Sequence, residues 1–354
     1  MTAVKPPRRP TLKDLARTLG VSLATVSNAY NRPDQLSEAL RTRILETARS
    51  LGYSGPDPLA SGLRRGRAGA IGLLYGDPLS YAFADPAAAL FLQGLAGAVE
   101  ATGLNLLLLP APSDPQAVAG AAVDGLVVYS LPEDSLSMQA ALARGLPAVL
   151  VDQRRREGLA CVSVEDVSGA RQAAGHLLAL GHRRLAVLSL DLAIPRRRGR
   201  VTPARLRAAR FQPPLDRLQG YREALRASGL PWSGLPVLEA LENSTEEGER
   251  LARRLLEAPK RPSAILAMSD RLALGVLRAA AALGLMVPRD LSVVGFDDIP
   301  AAGAVGLTTV RQPTVEKGRL TGELLLELLA GGSPGSPAPL ATELVVRSSS
   351  APPS

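Results

Sequence analysis

TLKDLARTLGVSLATVSNAYNRP, residues 11–33, decides the reading of this chain. Thr11 followed by Asp14 forms the pattern of a capping box: the hydroxyl accepts an orphan backbone N–H and the acid reaches back to the start of the helix. Leu12, Leu15, Ala16 and Leu19 then fall at i, i+3, i+4 and i+7, one apolar stripe of an amphipathic helix, and Gly20 supplies the left-handed residue that ends it. Ser22 caps a second short helix, with Val26 and Ala29 or Tyr30 turned inward and the small polar Thr25, Ser27 and Asn28 turned out. A third segment runs from a Ser37 cap through Leu40, Ile44, Ala48 and Leu51 to Gly52, so three short helices can share one core. The pattern is that of a helix-turn-helix whose second helix is sized to lie in a major groove.

The charge distribution agrees with that reading. The chain has 354 residues and a formal charge of +8, yet residues 1–67 hold 12 lysines and arginines against 5 acids, and residues 68–354 hold 29 against 28. Seven arginines and no acid sit in residues 192–213, leaving the remainder of the body acidic. A basic head on an acidic body is the electrostatic footprint of a nucleic-acid reader, because neutralising phosphates releases counterions. The single Cys161 excludes a disulfide framework or a cysteine-rich metal site and fits a reducing interior. No apolar run reaches the roughly 18 residues of a membrane span. No secretion signal is legible at the start either, so the expected setting is the cytoplasm, on the nucleoid, with no membrane partner.

From residue 69 the pattern changes. AIGLLY, LNLLLLP, DGLVVY, PAVLVD, CVSVED, RRLAVLSL, SAILAM and LSVVGFDD read as buried strands, and amphipathic stretches such as FLQGLAGAVEATG and DRLALGVLRAAAALG lie between most of them. Alternating strand and helix makes a parallel sheet covered on both faces, and this many strands suggest two such sheets. Ligands of open parallel sheets bind at the carboxyl ends of the strands. The loop after AIGLLY carries Tyr81, Phe83 and Asp85, two of the chain's ten phenylalanines and tyrosines beside an acid.

Taken together, TLKDLARTLGVSLATVSNAYN, the S-x(3)-R-x(2)-I-x(3)-A-x(3)-GY of residues 37–53 and PDPLASGLRRGRAGAIGLL directly behind it resemble the LacI/GalR family of bacterial transcription regulators. The resemblance implies an α/β architecture in three parts. These are a helix-turn-helix domain at residues 1–55, a hinge helix and linker at 56–68, and a two-lobed periplasmic-binding-protein-like body at 69–347, doubly wound about parallel sheets. A disordered tail at 348–354 is expected to follow. The chain would cross between lobes three times, with lobe one at about 69–165 and 298–320 and lobe two at about 166–297 and 321–347. By position, the family's base-reading residues fall on Leu23, Ala24 and Asn28. The first two can read only shape or a thymine methyl, whereas an asparagine pairs bidentately with adenine. Thr11, Thr25, Ser27, Asn31 and Arg32 become phosphate contacts that set register. Residues 56–63 resemble the family's hinge helix, in which Leu63, packed behind Leu59 and Ala60, would wedge into the minor groove. Ser61 departs from the long polar or basic residue common there. At this length, with Gly62 inside it, the segment is expected to become helical only on bent duplex.

The resemblance also assigns the family's effector-binding acid, arginine and second acid to Asp152, Arg217 and Asp270. With Tyr81, Phe83 and Asp85 they suit a sugar or related polyol, hydrogen-bonded by carboxylate and guanidinium and stacked on an aromatic face. Asp297 and Asp298 are expected to cap and pack at the lobe crossover. The arginine-rich 192–213 is expected to be a solvated loop, with an anionic effector such as a sugar phosphate as the alternative. The sequence contains no G-x(4)-GK[ST] loop, strand-anchored G-x-G-x-x-G, G-x-S-x-G, HExxH or CxxC, so no catalytic residue, metal or cofactor is expected. His176 and His182, six residues apart, fall on different faces of a helix. The expected function is a sequence-specific regulator, most simply a repressor, acting as a homodimer on double-stranded operator DNA and gated by a small molecule. The alternative is a solute-binding receptor with no regulatory role.

Overall fold

The computed structural model describes residues 10–53, 55, 67–110, 114–132, 134–333 and 335–354. The hinge residues Leu59, Ala60 and Leu63 lie outside the described residues. The chain divides into two compact units, residues 1–68 and 69–354.

In the first unit, helices α1 (Leu12–Leu19), α2 (Leu23–Asn31) and α3 (Glu38–Ser50) pack around Leu15, Leu19, Val26, Ala29, Ile44 and Ala48, all buried. The capping box is present: Thr11 Oγ1 accepts from the Asp14 N–H, and Asp14 Oδ2 accepts from the Thr11 N–H at 3.0 Å. Gly20 closes α1 at φ 66°, the left-handed region that costs a residue with a Cβ more than glycine. Ser22 and Ser37 cap α2 and α3 as the sequence indicates.

The second unit contains two sheets. The first has the order β2-β1-β3-β4-β5, built from β1 (Ala70–Tyr75), β2 (Asn105–Pro110), β3 (Gly125–Tyr129), β4 (Ala148–Val151) and β5 (Ala160–Val162), every pair parallel. Helices α4 (Leu79–Ala84), α5 (Pro86–Glu100), α6 (Pro115–Ala119) and α7 (Leu136–Ala143) follow successive strands of this sheet. The chain then enters α8 (Asp166–Ala179) and builds the second sheet. Its strands are β6 (Leu185–Ser189), β7 (Gly199–Arg200), β8 (Val237–Glu239), β9 (Ala264–Ala267), β10 (Ser292–Asp297), β11 (Thr308–Arg311) and β12 (Glu343–Val345), in the order β12-β11-β10-β9-β6-β8-β7. The edge strands β7 and β12 are antiparallel to their neighbours. Between these strands lie α9 (Pro203–Arg207), α10 (Gln212–Ala227), α11 (Thr245–Leu256), α12 (Asp270–Ala282), α13 (Pro300–Ala304) and α14 (Thr314–Leu329). The central strands read as continuous apolar runs because each sheet is buried on both faces: Ile71, Leu73 and Val127 belong to one cluster, and Leu74, Leu126 and Val128 to another.

Three parts of the expected layout need correction. First, β11 pairs with β10, so residues 298–311 belong to lobe two, whereas α14 packs on α5, β3, β4 and β5 and belongs to lobe one. The crossings fall after β5, after β11 and after α14, and the first and third run side by side through the Val164–Leu340 bridge. Backbone pairing and helix packing decide this assignment, and neither can be read from where an apolar run ends.

Second, the C-terminal tail is not loose. Val293 N–H donates to Ser349 O at 2.8 Å, Ser349 Oγ donates to Val293 O at 2.6 Å, and the buried His182 ring bonds Ser263, Ser292 and the Ala351 carbonyl.

Third, residues 192–213 are not a solvated loop. Leu192, Ala193, Ala209 and Phe211 are buried, and the Arg205 guanidinium grips Glu239 with bonds of 2.7 and 2.6 Å. Composition alone hides this because the acidic partners are supplied from elsewhere in the chain.

Candidate effector cleft and DNA-reading helix

The carboxyl ends of the two sheets border one cavity of about 130 Å³. From lobe one it is lined by Tyr75 at the end of β1, Asp77 just beyond, Tyr129 and Ser130 at the end of β3, and Asp152 after β4. Tyr81 and Asp85 flank α4, and Lys317 comes from α14. Lobe two contributes Asp191, Arg196, Phe211, Arg217, Asn243, Ser269 and Asp297.

Three of the four non-glycine residues with positive φ among the described residues line this cavity: Ser130 at 48°, Asp152 at 54° and Asp297 at 117°. Backbone strain concentrated at the ends of three strands marks a place where side-chain direction has been held against local preference.

Asp152 is buried, and its Oδ2 accepts from Lys317 Nζ at 2.6 Å. Its Oδ1 is buried and makes no hydrogen bond among the described residues. Asp191 repeats the arrangement from lobe two: Oδ2 lies 3.1 Å from Arg196 Nε yet makes no hydrogen bond there. Burial is the main cause that pushes the Asp191 carboxyl up to about 6, and Arg196 works against it. Arg217 donates from Nε to Asp166 Oδ1 at 2.8 Å and from Nη1 to the Met268 carbonyl, and lies 3.7 Å over the Phe296 ring. Burial disfavours its charge, but Asp166 and Asp297 outweigh that and hold its pKa above the ordinary value.

Asp85 accepts from the Tyr81 hydroxyl at 3.0 Å and from the Ala87 N–H, so it caps α5 while facing the cavity; burial raises its pKa. Tyr81 in turn accepts from Asn243 Nδ2 at 2.8 Å, a direct bond from one lobe to the other.

Of the six residues expected in the cleft, Tyr81, Asp85, Asp152 and Arg217 line it. Phe83 does not: it is 69% exposed, because the short α4 places it on the outer side of the turn. The apolar wall comes instead from Tyr75 and Tyr129, stacked with ring centroids 5.2 Å apart, and from Phe211. The signal for the first two was legible, since AIGLLY and DGLVVY both end in tyrosine at a strand's carboxyl end.

Asp270 is also outside the lining. It is fully buried, accepting from Thr309 Oγ1 at 2.6 Å and from the Ile299 N–H at 2.9 Å, and so ties α12 to β11 and α13. Its neighbour Ser269 caps α12 and faces the cavity. Conversely Asp297, expected only to pack, lines the cavity and accepts from Gln312 at 2.6 Å; Asp298 does the packing, paired to Arg311 and Arg347.

On α2, Leu23 is 49% exposed and Ala24 is exposed, while Thr25, Ser27 and Asn28 are half-buried. Asn28 Nδ2 donates to Gln35 Oε1 at 3.1 Å, which holds its amide in one orientation. Asn31 bonds back to Ser27, the Thr25 and Ser22 hydroxyls meet at 2.8 Å, Arg32 is exposed and Thr11 is half-buried.

A helix-turn-helix unit and a two-sheet unit with a cleft between its lobes, in one chain, define a DNA-binding regulator with a periplasmic-binding-protein-like body as the class. Comparison with known proteins agrees. Residues 11–55 match the model of bacterial regulatory proteins of the lacI family, and residues 174–350 match the periplasmic binding protein-like domain. An HTH-type transcriptional regulator of Mycobacterium tuberculosis is 43% identical over 98% of this chain and 99% of its own length. Among solved structures, a LacI-family transcriptional regulator from Corynebacterium glutamicum superposes with a TM-score of 0.74 at 37% identity, covering 97% of this chain and 99% of that one. The regulator CelR, solved with cellobiose, superposes with a TM-score of 0.69 at 30% identity over 96% and 100%.

The chain belongs to the LacI family and is a DNA-binding transcriptional regulator. Such regulators are not normally enzymes. No helix among the described residues is long and apolar enough to cross a membrane.

Proposed function

We propose that this regulator binds a palindromic operator as a homodimer and is gated by a small polyhydroxylated solute held between its lobes, acting most simply as a repressor in the cytoplasm. The observation that carries the ligand class is the pair of buried carboxylate oxygens that make no hydrogen bond among the described residues, Asp152 Oδ1 and Asp191 Oδ2, one from each lobe, the second held only by its ion pair with Arg196. A buried acceptor left without a donor is costly, and a solute with several hydroxyls would satisfy both at once. The aromatic wall of Tyr75, Tyr129 and Phe211 suits the apolar face of a sugar ring. The related CelR was solved with cellobiose, which supports a carbohydrate-like effector here. At about 130 Å³ the cavity is well under the roughly 300–1,000 Å³ of ordinary small-molecule sites. The lobes must therefore part to admit the ligand, and closing on it is the motion that would reach the DNA-binding end.

At the DNA, Asn28 reads adenine beside Leu23 and Ala24. Thr11, Thr25, Ser27, Asn31 and Arg32 hold phosphates, and Leu59, Ala60 and Leu63 engage the minor groove. The effector shifts the equilibrium only by its preference for one lobe arrangement over the other.

The test is to select operators from random duplexes at fixed salt and then ask which members of a sugar and polyol panel alter retention. Half-site symmetry and at least one active polyol are expected. Equal retention of random and selected duplexes, unaltered by any polyol, would end the proposal. Leu63→Ala should weaken specific binding much more than non-specific binding, and equal loss on both would remove the wedge.

A further inference from the structure

The arginine-rich segment 192–213 forms a platform on lobe two. Glu239 accepts from the Leu192 N–H at 2.9 Å and holds the Arg205 guanidinium, which also donates to the Ala193 carbonyl at 2.7 Å. Arg198 pairs with the buried Glu247. From this platform Arg196 reaches over the cleft, where it pairs with Asp77 of lobe one and Asp191 of lobe two, and all three side chains line the cavity.

Five carboxylates line this cavity, those of Asp77, Asp85, Asp152, Asp191 and Asp297, against three cations, Arg196, Arg217 and Lys317. Each cation already lies within ion-pair distance of an acid: Arg196 of Asp77 and Asp191, Arg217 of Asp166 and Asp297, and Lys317 of Asp152. Among the side chains that line the cavity, the buried atoms that make no hydrogen bond, Asp152 Oδ1 and Asp191 Oδ2, are both carboxylate oxygens, the second held only by its ion pair with Arg196; the buried Arg271 Nη1, which also makes none, belongs to a guanidinium 5.3 Å over the Tyr81 ring and outside the lining. An anionic ligand would meet no uncommitted cation among those that line the cavity and would face two carboxylate oxygens in a buried site, where like charges repel strongly.

We propose that Arg196 is a specificity-determining residue: by committing its guanidinium to Asp77 and Asp191 it makes the cleft refuse phosphorylated and other anionic effectors. The cleft then takes an uncharged polyol whose hydroxyls bridge Asp152 and Asp191 across the lobes. This deepens the proposed function and rests on its assignment of the cleft. It also turns the apparent invitation of seven arginines to an anion into the reverse, because the arginine that reaches the cavity arrives already paired.

The test uses the full-length chain with inorganic phosphate as probe, read by calorimetry and thermal shift. Wild type should give no saturable binding in the cleft. Asp77→Asn and, independently, Asp191→Asn each take one carboxylate from Arg196 and should create saturable phosphate binding, at least roughly 10- to 100-fold tighter than the weakest binding that the wild-type titration could detect, the range of a charge-assisted hydrogen bond. Adding Arg196→Met to either variant should abolish it and subtracts any phosphate held by the basic head. Arg196-dependent phosphate binding by wild type would overturn the proposal. So would two variants, melting cooperatively, that bind no better than wild type, or binding that survives Arg196→Met. Failure of the polyol panel is a separate outcome: it would refute the ligand assignment of the cleft whatever phosphate does.

Discussion

Replacing Lys317 by methionine removes the cation that holds Asp152. Both partners are buried, Lys317 at 2% and Asp152 at 8% exposure, so solvent screens the pair little. The 2.6 Å bond from Lys317 Nζ is the hydrogen bond that satisfies Oδ2, and Oδ1 has none. The variant therefore strands a carboxylate inside the protein with neither charge partner nor side-chain donor. Breaking one side of such a pair costs about 3–5 kcal/mol, a hundredfold or more in the unfolding constant. That is a large share of a net stability typically near 5–15 kcal/mol. Neutralising the orphan should recover part of the loss, so Asp152→Asn added to Lys317→Met should be more stable than Lys317→Met alone. The coupling energy of the double-mutant cycle should be roughly 1–3 kcal/mol. Urea titration of the four proteins, followed by far-ultraviolet circular dichroism, gives midpoints and slopes, with the slopes expected to stay equal. A Lys317→Met cost below about 1 kcal/mol, or no recovery on removing the Asp152 charge, would refute the reasoning that burial makes this pair indispensable.

Three further outcomes follow from the same geometry. Asn28→Ala should lose roughly 1–3 kcal/mol of preference at one A·T pair in each half-site, measured against single-substitution operators; a uniform loss on every duplex would instead make Asn28 a phosphate contact. Helices α5 and α14 cross with their backbones touching, since a Cβ on Gly318 would sit 2.1 Å from the Phe91 carbonyl oxygen. Gly318→Ala should thus cost about 1–3 kcal/mol or more, while Gly97→Ala on the same α5, with nothing within 4 Å, should gain up to about 1 kcal/mol in a melting comparison. Equal effects of the two would sink that contrast. Asp270 should make stability fall as pH rises through about 7. Burial is the first cause that pushes the Asp270 carboxyl up to about 7 from 3.8, so it keeps a proton that the unfolded chain has already lost. That contribution is present at low pH and disappears as pH climbs through the folded value. His176 and His182, lowered by burial from 6.5, act in the opposite direction into the same range, and Asp297, also raised by burial, adds to the fall, so the carboxyl is isolated by comparing melting midpoints of wild type and Asp270→Asn between pH 6.5 and 8; the same pH dependence in both proteins would contradict it.

The sequence by itself determined whatever depends on neighbours along the chain. The capping box at Thr11 and Asp14, the left-handed Gly20 and the apolar stripe of α1 are short-range patterns, and all stand in the structure where the sequence put them. The eight apolar runs became strands because a parallel sheet buried on both faces needs no partner to reveal its composition. Tertiary structure alone decided what depends on which distant residue arrives. Lys317 meets Asp152 across 165 positions, Arg196 meets Asp77 across 119, and Ser349 meets Val293 across 56. Asp270 and Asp297 both looked like acids at strand ends, and only the bonds from Thr309 and Ile299 on one, and the open cavity beside the other, separated a packing role from a lining one. The physical reason is range. Helix caps and strand hydrophobicity are settled within a few residues, whereas the state of a buried charge is set by the partner that desolvation forces it to find, and spacing along the chain does not encode that partner.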